Sequence, residues 1–288
     1  MKEPMMEHVL AAIDASAYAA SVCGYAGWAA QRLGLPVELL HVVQRMDPVT
    51  ARRDLSGAIG LGVKSELMEE LVRLSEASSR AEIEKGRLIL EAGEQMLREA
   101  GVDDVTRLHR HGGVVETIVE REEAARLVVI GKRGLDHEYS PDQIGSIIER
   151  VVRASAKPVL VASRAFVLPS SIVFAYDASP AAKRALERLA TSPLFDRLPV
   201  TIVMAEAEGE KKRAALAQAE SSFAASHPVT ALIDPAKAEE VIPRVIAATR
   251  DPLLLMGAYG HSPIRRMIVG STTTEMIRTV KVPVLLVR

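Results

Sequence analysis

Aromatic residues are scarce in this chain: four Phe, five Tyr and one Trp, 3% of the whole. So few rings argue against a stacking platform for single-stranded nucleic acid. Cysteine is rarer still. Cys23 stands alone, so no disulfide can form within the chain, which fits a reducing cytoplasm, the expected location. It lies in an apolar helical pattern and reads as a buried structural thiol. No apolar run approaches the ~18 residues a membrane helix needs. The opening "MKEPMMEHVLAAID" mixes charges into its apolar residues and does not read as a signal peptide. Neither sign of charge is in excess: 36 basic and 37 acidic residues leave a net charge of -1. That balance gives no general pull toward nucleic acid or an anionic membrane, and neither is expected as a partner.

What is present is ordinary globular material, 48% hydrophobic and 25% charged over 288 residues, enough for one large core or two modest ones. The chain also repeats itself. "HVLAAIDASAYAA" from His8 is matched by "SIVFAYDASPAAKRAL" from Ser171. "ARLVVIGKRGLDH" from Ala125 is matched by "DPLLLMGAYGHSP" from Asp251. "GSIIERVVRASAKPVLVA" from Gly145 is matched by "GSTTTEMIRTVKVPVLLV" from Gly270. Three matched blocks in one order imply two homologous domains, about residues 1–165 and 168–288. The short join "SRAFVLPSS" implies that they pack together.

The copies differ in length. Asp14 to Gly131 is 117 positions and Asp177 to Gly257 is 80, so the second copy lacks about 37 residues. The extra stretch of the first holds a Gly-rich bend and a helical segment, Lys64 to Ala100, with Leu67, Leu71 and Leu74 at helical spacing. A helix of that length exceeds the globular norm, so a bend or split is expected, with Gly86 a weak point. The segment either covers the sheet or extends into a partner.

Short apolar strands alternate with helices in both copies. They are expected near Val9–Ile13, Val37–Val43, Thr106–His109, Leu127–Ile130 and Pro158–Val161, then Ile172–Tyr176, Val200–Ala205, Val229–Ile233, Leu253–Met256 and Val282–Val287. Strands without polar alternation suit parallel sheets covered on both faces. The expected fold is α/β: two tandem doubly wound, five-stranded parallel sheets of Rossmann-like type. Ligands in such sheets sit beyond the carboxyl ends of strands, where strand order reverses.

Candidate site residues follow from that rule. Asp177, at the end of a first strand, can accept hydrogen bonds from a ribose or base; equally, Asp177 and Ser179 can serve only as turn and helix caps. "GAYGHSPIRRMIVGSTTTE" from Gly257 places glycines between a buried strand and a helix. Glycines let backbone N–H groups approach a phosphate without Cβ obstruction. The following helix adds orphan donors and the positive end of its dipole, and Ser271 and Thr272 add hydroxyls.

Gly-x-x-Gly, nine residues, then Gly-Ser resembles the ATP-binding signature of the universal stress protein family. The Asp-Ala-Ser turn resembles that family too, and the likeness covers the chain twice, as in tandem-domain members. It implies adenine-nucleotide binding, ATP with any Mg2+ carried by the nucleotide, and pairing through last strands. Here it implies an internal pseudo-dimer of the two repeats, able to form a homodimer in turn. Carried over, the second-domain residues are Asp177 and Val203 toward the adenosine, with Gly257, Gly260, Gly270, Ser271 and Thr272 around the phosphates. In the first domain they are Asp14, Val42, Gly131, Gly134, Gly145 and Ser146. That set departs from the pattern: ten residues replace nine, Ile147 and Ile148 replace hydroxyls, and Asp136, Glu138 and Asp142 enter the loop beside Lys132 and Arg133. The matching second-domain loop has no acid and carries Arg265 and Arg266. The second domain is therefore the expected nucleotide site.

No metal centre is expected, because His109 and His111 have no nearby cysteine to complete one. No P-loop and no nucleophile elbow occur in the sequence, and no catalytic residue is assigned. The reading is an adenine-nucleotide-binding stress-response or signalling protein without strong catalysis. The alternatives are an interaction scaffold with vestigial sites, or a slow ATPase.

Overall fold

A computed structural model describes residues 6–43, 63–134, 146–223, 228–258 and 271–288. The first half supplies strands β1 (His8–Ala12), β2 (Val37–Val43), β3 (Val105–His111), β4 (Ala125–Gly131) and β5 (Val159–Ala162). Its helices are α1 (Ala19–Leu33), α2 (Val63–Glu99), α3 (Val114–Arg121) and α4 (Ser146–Ala154). The second half supplies β6 (Ser171–Ala175), β7 (Val200–Ala205), β8 (Val229–Asp234), β9 (Pro252–Gly257) and β10 (Val284–Val287). Its helices are α5 (Pro180–Thr191), α6 (Glu210–Ser221), α7 (Ala238–Ala248) and α8 (Ser271–Thr279).

All ten strands join one sheet in the order β3-β2-β1-β4-β5-β10-β9-β6-β7-β8. Every pairing is parallel except the central one, where β5 and β10 run antiparallel with Leu285 opposite Leu160. Each half is thus a doubly wound five-stranded sheet, and the last strands join the halves as an internal pseudo-dimer. Strand order reverses between β1 and β4 in one half and between β6 and β9 in the other. Their carboxyl ends are where a ligand crevice is expected.

Alternate residues along the strands feed the two faces. Val9, Leu39, Val129, Leu160, Phe174, Leu255 and Leu285 share one apolar layer with residues of α1, α2, α5 and α6. Leu10, Leu40, Val128, Val161, Val203, Leu254 and Leu286 share the other with α3, α4, α7 and α8. Each layer runs unbroken across the central pair, so one core serves both repeats.

The expected strands are all present, with ends shifted by one or two residues. β10 starts at Val284 rather than Val282; Pro283 just before it has no N–H for the ladder, and its carbonyl accepts from Leu254 N–H instead. Contrary to the expected split, α2 is one uninterrupted helix of 37 residues. Gly86 does not break it. A Cβ there would lie 2.5 Å from the His109 ring and 2.8 Å from that of His41, so glycine allows the helix to cross the strand ends closely. Beyond that crossing, Leu90 and Leu97 are buried. Before it, each residue of the 70–85 stretch whose side chain is described is exposed. That stretch carries the ion pairs Arg73–Glu70, Arg80–Glu76 and Lys85–Glu82 at helical spacing, which support a helix without a packing face. The covering-helix expectation therefore holds for the second half of α2.

The crossing is lined by histidines. His41 and His109 are register partners, and the rings of His41, His109 and His111 follow one another at centroid separations of 5.4 and 5.5 Å. His41 Nδ1 is 2.9 Å from the Ile13 carbonyl. Burial, then the neighbouring His41 and His111, hold His109 below its ordinary value of 6.5. Because the folded value lies below the unfolded one, the unfolded chain binds more protons as pH falls through about 6.5. This contribution to stability is complete above that pH and is lost below it. We expect the melting temperature to drop more between pH 7.5 and pH 5.5 in the native chain than in His109→Gln. Equal drops would remove His109 as the cause.

Candidate functional site

The first half brings its candidate residues together. Asp14 follows β1, and its Oδ1 accepts Ser16 N–H at 3.0 Å. Ser16 is buried; its hydroxyl accepts Tyr18 N–H at 3.3 Å and donates to the Arg133 carbonyl at 3.5 Å. This ties the turn before α1 to the loop after β4. Gly134 faces Asp14 directly, since a Cβ on Gly134 would lie 3.0 Å from Asp14 Oδ2. Gly131 faces Tyr18, whose Cβ would be 2.8 Å from an added Cβ. Asp14, Gly131 and Gly134 therefore meet at the carboxyl ends of β1 and β4. Gly145 lies outside the described residues, and Ser146 opens α4.

The second half repeats the plan with differences. Asp177 Oδ1 accepts Ser179 N–H at 2.9 Å. Ser179 caps α5 by accepting Ala182 N–H at 3.2 Å, and Pro180 occupies the first helical position. The capping role considered for this turn is thus present, and Asp177 is exposed at the strand end, whereas Asp14 is half-buried. Between them, Ala178 adopts φ 56°, the left-handed region that a side-chain-bearing residue enters at a cost of roughly 1–2 kcal/mol. Ala15, its counterpart, is not among the positive-φ residues.

Gly257 ends β9 against the start of α5. A Cβ there would be 2.7 Å from Ala182 N and 2.8 Å from the Ala181 carbonyl carbon. The first glycine of each Gly-x-x-Gly thus has a packing reason to be glycine. Gly260 and Gly270 lie outside the described residues. Ser271 opens α8. Thr272 donates its hydroxyl to Glu239 of α7 at 3.4 Å, and Thr273 is buried. Ile148, the counterpart of Thr273, is buried too. Of the two positions where isoleucine replaces a hydroxyl, only Thr272 against Ile147 is therefore not buried.

The strand register corrects the pairing of the two valines expected near a base. Ala12 pairs with Leu40 and Ala175 with Val203; Ile13 N–H donates to Leu40 and Tyr176 N–H to Val203. Val203 is thus the counterpart of Leu40, with its side chain in the core and its carbonyl in the ladder. The counterpart of Val42 is Ala205. Val42 stands 28 positions after Asp14 and Ala205 stands 28 after Asp177, a sequence signal that points to Ala205 without any structure. Among the described residues, no group of three or more His, Cys, Asp or Glu is arranged to hold a metal ion, and no helix is long and apolar enough to cross a membrane.

The comparisons with known proteins agree with this architecture. The model of the universal stress protein family matches residues 5–163 and 197–288. A universal stress protein of Synechocystis sp. is 32% identical over 287 residues, covering 98% of this chain and all of that protein. Among solved structures, a universal stress protein from Archaeoglobus fulgidus DSM 4304 matches with a TM-score of 0.70 at 21% identity, over 98% of this chain and 96% of its own. A protein of Pseudomonas aeruginosa UCBPP-PA14 matches with a TM-score of 0.62 at 15% identity, over 98% of this chain and 93% of its own. At these identities the solved structures support the fold alone. The family model falls on both repeats and the Synechocystis relative is matched along its full length; the chain belongs to the universal stress protein family.

Proposed function

We propose that the protein binds an adenine nucleotide, ATP with Mg2+ carried by the nucleotide, chiefly in the second-half crevice. Binding there serves stress response or signalling through a change in packing or partner choice, without strong catalysis. The observation that carries this reading is the complete Gly-x-x-Gly, nine residues, Gly-Ser spacing, set between β9 and the start of α8. Supporting it are the exposed carboxylate of Asp177, the left-handed Ala178 in the same turn, and a loop that holds Arg265 and Arg266 but no acid. Strain in a turn is retained only where surrounding structure holds it, and such residues concentrate at binding sites. Asp177 takes the ribose, Ala205 borders the base in place of Val203, and Gly257, Gly260, Gly270, Ser271 and Thr272 surround the phosphates. The first-half set is the weaker site, because Asp14 already abuts Gly134.

Calorimetry on the full chain tests this. ATP should bind at micromolar to millimolar concentration. Asp177→Ala should weaken it about tenfold, the scale of one charge-assisted hydrogen bond, and Gly270→Val should abolish it. Asp14→Ala should change it little. Absence of binding at millimolar ATP removes the reading. The second reading, an interaction scaffold, is favoured by the exposed side chains described in the 70–85 stretch of α2. Partners retained after nucleotide removal, together with no ATP binding, would establish it. Repeated ATP turnover lost in Ser271→Ala would instead make the protein a slow ATPase.

A further inference from the structure

A second pocket lies on the seam between the halves, where the end of β5 meets the start of β10. It encloses about 810 Å3. Lys132 and Arg133 reach it from the loop after β4, Arg164 from the segment after β5, and Arg278 and Lys281 from the end of α8 and the approach to β10. Among the described residues, one carboxylate, Asp251, lines it beside these five cations, and that carboxylate already faces Arg250 at 3.5 Å. None of Asp14, Val42, Gly131 and Gly134 lines it.

Three observations bear on what it holds. First, Lys132 is largely withdrawn from water. It donates to the Val280 carbonyl at 2.7 Å, and burial, then Arg133, depress it to about 8. Clustered cations raise one another's energy unless an anion joins them. Second, Arg164 and Lys281 have no ion-pair partner among the described residues, while Arg278 is held by Glu275. Third, the aligned repeats place Ala258 opposite Lys132, Tyr259 opposite Arg133 and Ala156 opposite Lys281, whereas Arg278 stands opposite Arg153.

We infer that this seam pocket is a binding site for a small polyanion carrying two or more phosphoryl groups. A single phosphate would leave most of the volume empty. The pocket supplies charge from both halves, and the one aromatic lining residue among the described residues, Tyr18, is buried, so the recognised part is the phosphate chain rather than a base. That chain comes either from a free polyphosphate or from the tail of a nucleotide. The inference does not rest on nucleotide binding in the second-half crevice.

The probe is inorganic tripolyphosphate, titrated calorimetrically into the full chain at low salt. We expect binding that weakens as salt rises and a loss of about tenfold in the double variant Arg164→Ala/Lys281→Ala, the scale of one charge-assisted contact. Both side chains are exposed, so folding should be unchanged by circular dichroism. A bound polyanion favours charged Lys132, so Lys132→Met should bind tripolyphosphate more weakly than the native chain. The two sources separate cleanly. Competition with ATP that is lost in Arg164→Ala/Lys281→Ala assigns the nucleotide tail; tripolyphosphate binding that ATP leaves untouched assigns a free polyphosphate. No binding at 1 mM, or unchanged affinity in the double variant, overturns the inference. Asp177→Ala should leave tripolyphosphate affinity intact, which keeps failure of this inference distinct from failure of the nucleotide proposal.

Discussion

Leu285→Ala should destabilise the chain by about 2–5 kcal/mol, the range for emptying a buried leucine site. Leu285 is 2% exposed and stands opposite Leu160, 0% exposed, in the antiparallel pair that joins the halves. Both belong to one apolar layer that also holds Val9 of the first half and Phe174 of the second. A cavity there removes contacts from both repeats at once, so the denaturant midpoint should fall as a single transition. Leu285→Asp should have the larger effect. Its carboxylate would be buried in the apolar layer that Leu285 shares with Leu160, and cooperative folding should be lost. A shift of less than about 0.5 kcal/mol for Leu285→Ala, the size of an ordinary surface substitution, would mean that the seam adds little to stability.

Gly257→Val should be the second severe change, by a different cause. The new Cβ would meet the backbone of Ala181 and Ala182 at 2.7–2.8 Å, and backbone cannot rotate aside as a side chain can. Either β9 or the first turn of α5 must move, at a cost of about 3 kcal/mol, the upper end for overpacking. That movement would displace Ser179, which caps the helix, and Asp177, which holds the turn. Thermal unfolding should show the loss of stability. Calorimetry at a temperature where the variant remains folded should show ATP affinity reduced beyond the effect of Asp177→Ala. If Gly257→Val is as stable as the native chain, the close approach of β9 to α5 is wrong.

Much of the fold was legible in the sequence because repetition supplied a built-in comparison. Asp-Ala-Ser, Gly-x-x-Gly and Gly-Ser recur in one order, and each marks the end of a strand or the start of a helix. The short apolar runs between them became the ten strands, and the matched Pro-Val-Leu runs became the central antiparallel pair. What escaped depends on contacts between distant residues. Gly86 resembles a helix breaker along the chain, yet α2 passes through it, because the missing Cβ makes room for His41 and His109. Val203 resembled a base neighbour by position in its strand. Register showed it level with Leu40, and its carbonyl already engaged by Tyr176. The seam pocket was illegible for the same reason: Lys132, Arg164 and Lys281 are far apart in sequence and meet only where β5 and β10 pair.

The antiparallel pairing of β5 with β10 has one more consequence. In a dimer of identical single repeats, that contact would be lost on dilution, and every substitution would alter both crevices together. Within one chain the partner strand is present at a fixed effective concentration, so the contact survives at any protein level. Each copy is then free to drift from the other. The acid-laden loop of the first repeat and the basic loop of the second are differences that a symmetric assembly of identical chains could not hold.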